Sequence, residues 1–238
     1  MFTGDDRQLL NYVQDVPEIV RPYGSESMLT YLHKLSDSRI RRVVLTKTYR
    51  FHPAIAACLA ATGYGDKLVC VVPAAERAMV TSAPLWFPQP DFPILLLHQE
   101  DEDVREDDHT SRHNAGQAEK AFEILIELLV RLPAEANVVM LCLYTAEKDR
   151  MIAEMRRRNL TRVLVRSVDG FQASEADVVY VLTTRSVDAA EGDRSLEFIE
   201  DDKRATTALS RGRHVVIVHG NLRRRCVEII HSQGSERL

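Results

Sequence analysis

The sequence predicts a three-layer α/β domain, in which helices cover both faces of a mainly parallel central sheet. The main observation is an alternation of apolar strands and amphipathic helices between residues 115 and 219. This alternation is typical of βαβ units, whose parallel strands are buried on both faces. The composition agrees, because 45% of the 238 residues are hydrophobic, enough for a sizeable core.

The individual elements follow from periodicity. Residues 115–132 carry apolar side chains three and four positions apart, which indicates an amphipathic helix, and Pro133 ends it. The continuous apolar run at residues 138–143 is typical of a strand inside a parallel sheet. Further strands are predicted over residues 42–46, 94–98, 162–166, 177–183 and 215–219. Further helices are predicted over residues 147–158 and about 201–211, and one begins near residue 221.

The remaining segments fit the alternating pattern less well. Residues 1–40 contain Pro17, Pro22 and Gly24 and one short helical stretch at residues 26–35, which indicates a leader or connector. Residues 60–110 are rich in proline and charge, so we expect loops around one or two short strands. The acidic run at residues 100–108 is expected to be a mobile loop.

Charge and cysteine content exclude several classes of protein. The net charge of −4 does not fit a surface coated with phosphate-binding residues, although basic residues cluster at 39–50, 156–158, 203–213 and 223–225. Cys58, Cys70, Cys142 and Cys226 have no CxxC spacing, so they are interpreted as reduced core thiols rather than metal ligands. No apolar stretch is long enough to cross a bilayer and no signal peptide is evident. We therefore expect a soluble intracellular protein without a membrane partner, in the nucleus or the cytoplasm.

Three clusters of residues stand out from this background. Arg50 follows a predicted strand and precedes a helix that starts with Pro53, a position from which it can reach into a cleft. The segment from residue 167 to residue 177 follows a buried strand, at the carboxyl end where α/β sheets place ligands. The segment from residue 202 to residue 213 is a helix that ends on Arg211 and Arg213, directly before another buried strand.

The order of these clusters resembles the motif set of the superfamily 1 helicases, up-frameshift and senataxin-like group. The segments YRFHPAI, SVDGFQASEAD and RATTALSRGR are similar to three motifs of the second RecA-like motor domain in that group. The first residues, GDDRQL, resemble the motif that closes the first motor domain. The likeness runs from residue 4 to about residue 231. It implies that residues 1–40 are the end of the first motor domain and a connector, residues 41–231 the second RecA-like domain, and residues 232–238 a tail.

The resemblance also implies roles for particular residues. Arg50 and Arg211 would act as arginine fingers on the transferring phosphoryl group, and Gln8 would sense the γ-phosphate. Glu175 would contact the ribose or support the nucleotide site, while Arg204 and Arg213 would support the cleft. The loop from Ser167 to Gln172 would couple the nucleotide site to the nucleic-acid groove. Residues expected near the nucleic acid are Ser167, Asp169 and Tyr144, and those expected near the nucleotide are Glu175, Gln172, Arg204 and Arg213.

Several departures from the family pattern leave two functions open. The family's Thr-Pro-Tyr, whose threonine hydroxyl donates to a nucleic-acid phosphate, is Cys142-Leu143-Tyr144 here, and its Gly-Arg is Ala173-Ser174. The sequence also contains no GxxxxGK[ST] loop. We therefore expect negligible ATP hydrolysis by this chain alone, with ATP and Mg²⁺ used only together with a phosphate-binding first motor domain, in trans or in a longer parent chain. The alternative is a non-catalytic helicase-derived module that binds single-stranded RNA or DNA, or a protein. An unrelated α/β enzyme is disfavoured, because no Ser-His-Asp, Cys-His or metal-ligand constellation emerges.

Overall fold

A computed structural model describes residues 4–5, 7–8, 19, 31–32, 35, 41, 43–79, 87, 89, 91–105, 111–186 and 202–222. The described helices, in chain order, are α1 Pro53–Leu59, α2 Ala115–Arg131, α3 Thr145–Arg157 and α4 Asp202–Leu209. The described strands are β1 Lys47–Thr48, β2 Val69–Cys70, β3 Ile94–His98, β4 Val104–Arg105, β5 Arg112–His113, β6 Val138–Cys142, β7 Val163–Ser167, β8 Ala176–Leu182 and β9 Gly212–Gly220.

Five of the strands form a parallel sheet in the order β3-β9-β8-β6-β7. All residues of β6 and β8 are buried, as expected for strands that are covered on both faces. The register pairs Cys142 with both Ser167 and Leu182, which places these three residues at the carboxyl edge of the sheet. Ala176 pairs with Gly212 at the opposite, amino edge.

Helices cover both faces of this sheet. Alternate residues of β6 point to opposite sides, so that Val138 and Met140 pack with α2 and α3, whereas Val139 and Leu141 pack with α1 and α4. A short 3₁₀ turn, Asp169–Phe171, joins the second face through the buried side chain of Phe171. The predicted fold class, three layers around a mainly parallel sheet, is confirmed.

The helix starts have clear causes in the sequence. Pro53 occupies the first turn of α1, where its missing N–H needs no partner, and His52 Nδ1 accepts a hydrogen bond from Ala54 N at 3.1 Å. Asn114 caps α2 by accepting from Gln117 N at 3.0 Å. The helix α3 begins at Thr145, two residues before the predicted start, and Ala146 N donates to Ser111 Oγ at 2.8 Å in its first turn.

Some predicted boundaries are wrong. The strand expected over residues 42–46 is instead β1, Lys47–Thr48, which pairs in parallel with β2. Val43, Val44 and Leu45 are exposed and belong to no described strand. An apolar run predicts a strand only when a neighbouring strand is available, and the short β2 offers too few partners. The helix expected to end at residue 211 ends at Leu209, because β9 begins three residues earlier than predicted, at Gly212.

The described part of the acidic run, residues 100–105, contains a strand where a mobile loop was expected. Val104 and Arg105 form β4 and pair with β5 in an antiparallel hairpin. Asp103 anchors this hairpin, because its carboxylate accepts from Ser186 N at 2.7 Å and from Arg112 Nη1 at 2.7 Å. Burial raises the pKa of Asp103, but the hydrogen bonds from the Ser186 hydroxyl and backbone and from Arg112, together with the nearby Arg185 guanidinium, outweigh it and hold this pKa below its usual value. Most of the helix expected at residues 26–35, the helix expected from residue 221 onwards and the tail at residues 232–238 lie outside the described residues.

Candidate functional site

The arginines singled out by the sequence meet at the amino edge of β8 and β9. Arg50 follows β1, Glu175 directly precedes β8, and Arg211 and Arg213 flank the first residue of β9. The Glu175 carboxylate lies 2.7 Å from Arg50 Nε and 3.8 Å from Arg213 Nε. The strand ends therefore bring three separate motifs within ion-pair distance of each other.

Arg211 is buried at the base of this cluster, with only 1% of its surface exposed. Its guanidinium donates to the carbonyls of Thr207 at 2.9 Å and Ser174 at 3.2 Å, and to Ser210 Oγ at 2.7 Å. Burial, and then the nearby positive charge of Arg50, lowers the pKa of Arg211 to about 10. Arg211 therefore stays charged at neutral pH while it is held in one orientation.

Gln8 completes the contacts of Arg211, although the two residues are 203 positions apart in the chain. Gln8 Oε1 accepts from Arg211 Nη2 at 2.8 Å, while Gln8 Nε2 donates to Asp5 Oδ2 at 2.8 Å and to Tyr64 Oη at 3.3 Å. Tyr64 in turn donates its hydroxyl to Asp5. Burial, together with the Asp5 carboxylate, raises the pKa of Tyr64 to about 12, so the hydroxyl is protonated at neutral pH.

The backbone around Arg50 is fixed by a residue that the sequence interpretation missed. Arg77 donates through Nε to the Arg50 carbonyl at 2.8 Å and through Nη2 to the Tyr49 carbonyl at 3.1 Å. His52 N donates to the Arg213 carbonyl at 2.9 Å, which ties the same segment to β9. Arg50 Nη1 then reaches the Ser210 carbonyl at 3.0 Å. Arg77 lies in a stretch rich in proline and charge, where its spacing gives no signal of this role.

A cleft of about 510 Å³ opens beside these residues. This volume lies within the range of small-molecule sites in proteins. Its walls carry both positive and negative side chains as well as aromatic rings, and Arg211 lies behind the wall rather than in it. The residues that line the cleft are Asp5, Gln8, Leu45, Lys47, Thr48, Tyr49, Arg50, Phe51, Tyr64, Leu68, Arg77, Glu175 and Arg213.

The other predicted site residues lie away from this cleft. Ser167 ends β7 at the carboxyl edge, where its Oγ accepts from Gly170 N at 3.1 Å, and Tyr144 lies buried just before α3. Arg204, on α4, forms a 3.5 Å ion pair with Asp169, and Gln172 is exposed in the same loop as Asp169. The loop begins at the carboxyl end of a buried strand, as expected, but it does not remain at that edge. The loop leaves that edge at Ser167 and ends at the amino edge, because the next strand is parallel and starts there.

Metal-binding groups and membrane-spanning helices are both absent from the described residues. Among these residues, no group of three or more His, Cys, Asp or Glu side chains is placed to hold a metal ion. Cys142 is buried, whereas Cys58 and Cys70 are partly buried, and Cys226 lies outside the described residues. In the same part of the chain, no helix has both the length and the apolar character needed to cross a bilayer.

Comparisons with known proteins agree with the motif order. ATP-dependent helicase upf1 of Schizosaccharomyces pombe is 27% identical over 230 residues, which are 93% of this chain and 24% of that protein. RNA helicase Mov10l1 of Mus musculus is 28% identical over 185 residues, covering 74% of this chain and 15% of that protein. The 5'-3' DNA helicase ZGRF1 of Mus musculus is 26% identical, covering 93% of this chain and 11% of that protein. The chain thus spans less than a quarter of the length of these relatives.

Among solved structures, the C-terminal domain of a possible DNA helicase from Lactobacillus plantarum WCFS1 aligns with a TM-score of 0.39 and 12% identity. The alignment covers 73% of this chain and 88% of that one. Residues 25–223 match the family described as AAA domain, which is most of the sequence. The chain therefore belongs to the AAA domain family and, with these relatives, to the superfamily 1 helicases of the up-frameshift type, as the order of its motifs predicted.

Proposed function

We propose that this chain is the C-terminal half of an ATP-dependent helicase motor, which supplies arginine fingers and contacts to single-stranded RNA or DNA. The phosphates of ATP would be held by a first motor domain, either in a longer parent chain or in a separate protein. The observation that carries this proposal is the convergence of Arg50, Arg211 and Gln8 beside one cleft of nucleotide size.

The chemistry of the cleft fits the phosphate chain of a nucleotide. Guanidinium groups that are held in place before the reaction can stabilise charge on a transferring phosphoryl group without further reorganisation. Arg50 is about one-third exposed next to the cleft, and Arg77 and Ser210 hold its backbone and its guanidinium. Glu175 keeps Arg50 and Arg213 close together, which would otherwise repel each other.

Magnesium would bring the Lewis acidity that neutralises charge between the phosphates. The described residues contain no acidic cluster for such an ion. The proposal therefore assigns magnesium binding, like the phosphate-binding loop, to the first motor domain. The role left to this chain is to supply Arg50 and Arg211 across the cleft and to read the state of the phosphates through Gln8.

The test joins this chain, in one polypeptide, behind a P-loop motor domain of an up-frameshift-type helicase. We expect ATP turnover that single-stranded RNA or DNA stimulates, and a loss of about 1,000-fold in kcat for Arg211→Ala, the scale of a lost arginine finger. Arg50→Ala should show a similar loss. Arg156→Ala is the matched control, because it removes an exposed arginine of α3 outside the cleft. Equal turnover in Arg211→Ala and Arg156→Ala would contradict the proposal.

A second candidate is a non-catalytic module that binds nucleic acid or protein. It is favoured by the carboxyl edge of β6, where the fully buried Cys142 replaces the family's phosphate-donating threonine, so that the contact through which the family couples nucleic acid to the motor is missing. For this candidate the joined polypeptide would bind single-stranded RNA in a salt-dependent way but would hydrolyse no ATP. Fluorescence anisotropy and turnover, measured on the same preparation, separate the two candidates.

A further inference from the structure

A continuous hydrogen-bond chain runs from Arg211 to Asp5. Arg211 Nη2 donates to Gln8 Oε1 at 2.8 Å, Gln8 Nε2 donates to Asp5 Oδ2 at 2.8 Å, and Tyr64 Oη accepts from Gln8 Nε2 at 3.3 Å. Tyr64 closes the chain by donating to the same Asp5 oxygen. The hydrogen-bond chain thus has a buried cation, Arg211, at one end and the Asp5 carboxylate at the other.

Chemistry allows only one orientation of the Gln8 amide in this chain. A guanidinium has only donors, so Arg211 must face the amide oxygen of Gln8. An ionised carboxylate has only acceptors, so Asp5 must face the amide nitrogen. Asp5 Oδ2 and Tyr64 Oη lie next to each other on one side of the amide nitrogen and hold it together. The Gln8 amide oxygen is therefore fixed toward Arg211.

The hydrogen-bond chain lies between Arg211 and the cleft. Asp5, Gln8 and Tyr64 all line the cleft, whereas Arg211 does not and is 1% exposed. The three residues therefore stand between Arg211 and any anion in the cleft. The oxygen that Arg211 Nη2 binds now, Gln8 Oε1, occupies the place that a phosphate oxygen would need to take.

We propose that Asp5 and Tyr64 are positioning residues that hold Gln8 on Arg211, so that the Gln8 amide oxygen stands in for a phosphate oxygen in the resting chain. An arriving phosphate must then exchange partners with Gln8. Arg211 passes from the amide oxygen to the phosphate oxygen, and the Gln8 amide oxygen is displaced from the guanidinium. This inference rests on the proposed function, since it concerns the same cleft and the same arginine.

This exchange predicts that two substitutions raise the affinity of the cleft for an anion, although each removes a hydrogen bond. Tyr64→Phe removes an acceptor of Gln8 and leaves the ring in place, and Gln8→Ala removes the stand-in oxygen. Both should tighten binding of an anion in the cleft by about three- to tenfold, the factor that one hydrogen bond contributes. The same substitutions remove bonds from the resting fold, so they should also lower Tm. A residue with a merely structural role would weaken binding and stability together.

The experiment titrates inorganic pyrophosphate into the full chain by calorimetry at low salt and follows Tm in parallel. Tyr31→Phe, which alters a half-exposed tyrosine outside the cleft lining, is the matched control and should leave the Kd unchanged. The double variant Tyr64→Phe, Gln8→Ala should bind no tighter than Gln8→Ala alone, because Tyr64 acts only through Gln8. This lack of additivity is the signature of a positioning residue.

Failure of the stand-in role of Gln8 and failure of the proposed function would give different binding results. An unchanged or weaker Kd in Tyr64→Phe and Gln8→Ala, or no detectable binding in any of the variants, overturns the stand-in role of Gln8. Arg211→Ala tests the proposed function itself, because it should reduce pyrophosphate binding at least tenfold. If Arg211→Ala binds as tightly as the unaltered chain, the phosphate-recognising role of this cleft fails, whatever Tyr64 does.

Discussion

Glu147 offers a test of the polar network at the other edge of the sheet, through the substitution Glu147→Gln. This residue lies in the first turn of α3 and its surface is 0% exposed. Its Oε2 accepts from Asn114 N at 2.6 Å, which joins the start of α3 to the start of α2. Burial raises the pKa of Glu147 to about 7, and the Asn114 amide only partly opposes this shift.

The magnitude follows from the shift in pKa. The rise from 4.5 to about 7 corresponds to about 3 kcal/mol of differential free energy between the protonated and ionised forms. Below the unfolded value of 4.5 both states bind the proton, so Glu147 has no effect on stability through its charge. Between 4.5 and about 7 the folded state binds more protons than the unfolded state, so the free energy of unfolding falls as pH rises. Above about 7 the full destabilisation is present.

Glutamine keeps the acceptor for Asn114 and removes the charge. Glu147→Gln should therefore stabilise the chain by up to about 3 kcal/mol near pH 8 and by much less near pH 5. Urea unfolding at both pH values measures the difference, and Glu123→Gln is the control, since Glu123 is an exposed partner of Lys120 on α2. A Glu147→Gln effect of the same size at both pH values would refute the argument, because it would mean that the carboxyl group does not titrate in this range.

Three further substitutions test the cleft and its supports. Arg77→Lys keeps the charge but cannot make the paired hydrogen bonds to the Tyr49 and Arg50 carbonyls. The affinity for pyrophosphate should therefore fall several-fold in a calorimetric titration. The control Arg156→Lys should leave this affinity unchanged. Glu175→Gln removes the carboxylate that competes for Arg50, and because this pair is partly exposed the gain in pyrophosphate affinity should be only about two- to fivefold; weaker binding would contradict the competition. Gly220→Ala should lower the free energy of unfolding by about 3 kcal/mol or more, because φ is +150° and a Cβ atom would clash with Thr183 Oγ1; near-normal urea stability would show that Thr183 or the end of β9 can shift.

The family and the members of the cleft were predictable because they depend on motifs in a fixed order. Glu175 and Arg211 each directly precede a buried strand, and parallel strands bring their starts to one edge, where Arg50 reaches the Ser210 carbonyl. The resemblance added Gln8, whose contact with Arg211 spans 203 positions. No periodicity within the sequence reports a contact over that distance.

The rest of the site was not predictable, for reasons that differ from residue to residue. Arg77 acts through backbone carbonyls, which carry no sequence signal, so its partners Tyr49 and Arg50 give no hint of it. Tyr64 lies in the stretch of residues 60–110 that the sequence predicts mainly as loops, and its role depends on Asp5, which comes from the start of the chain. The short strand β1 was misplaced because apolar character alone does not specify a ladder partner.

The loop from Ser167 to Glu175 connects two regions that the sequence treated as one site. It begins at the carboxyl edge, beside Cys142, and ends at the amino edge, where Glu175 binds Arg50. Between these ends, Phe171 is buried on the face that also carries α1 and α4, the helices adjoining Arg50 and Arg211. A displacement of Glu175 by a ligand would therefore act on a segment anchored in the core rather than on a free loop. The coupling role predicted for this loop stays a prediction, but the geometry supplies a short path for it across the sheet, anchored in the core at Phe171.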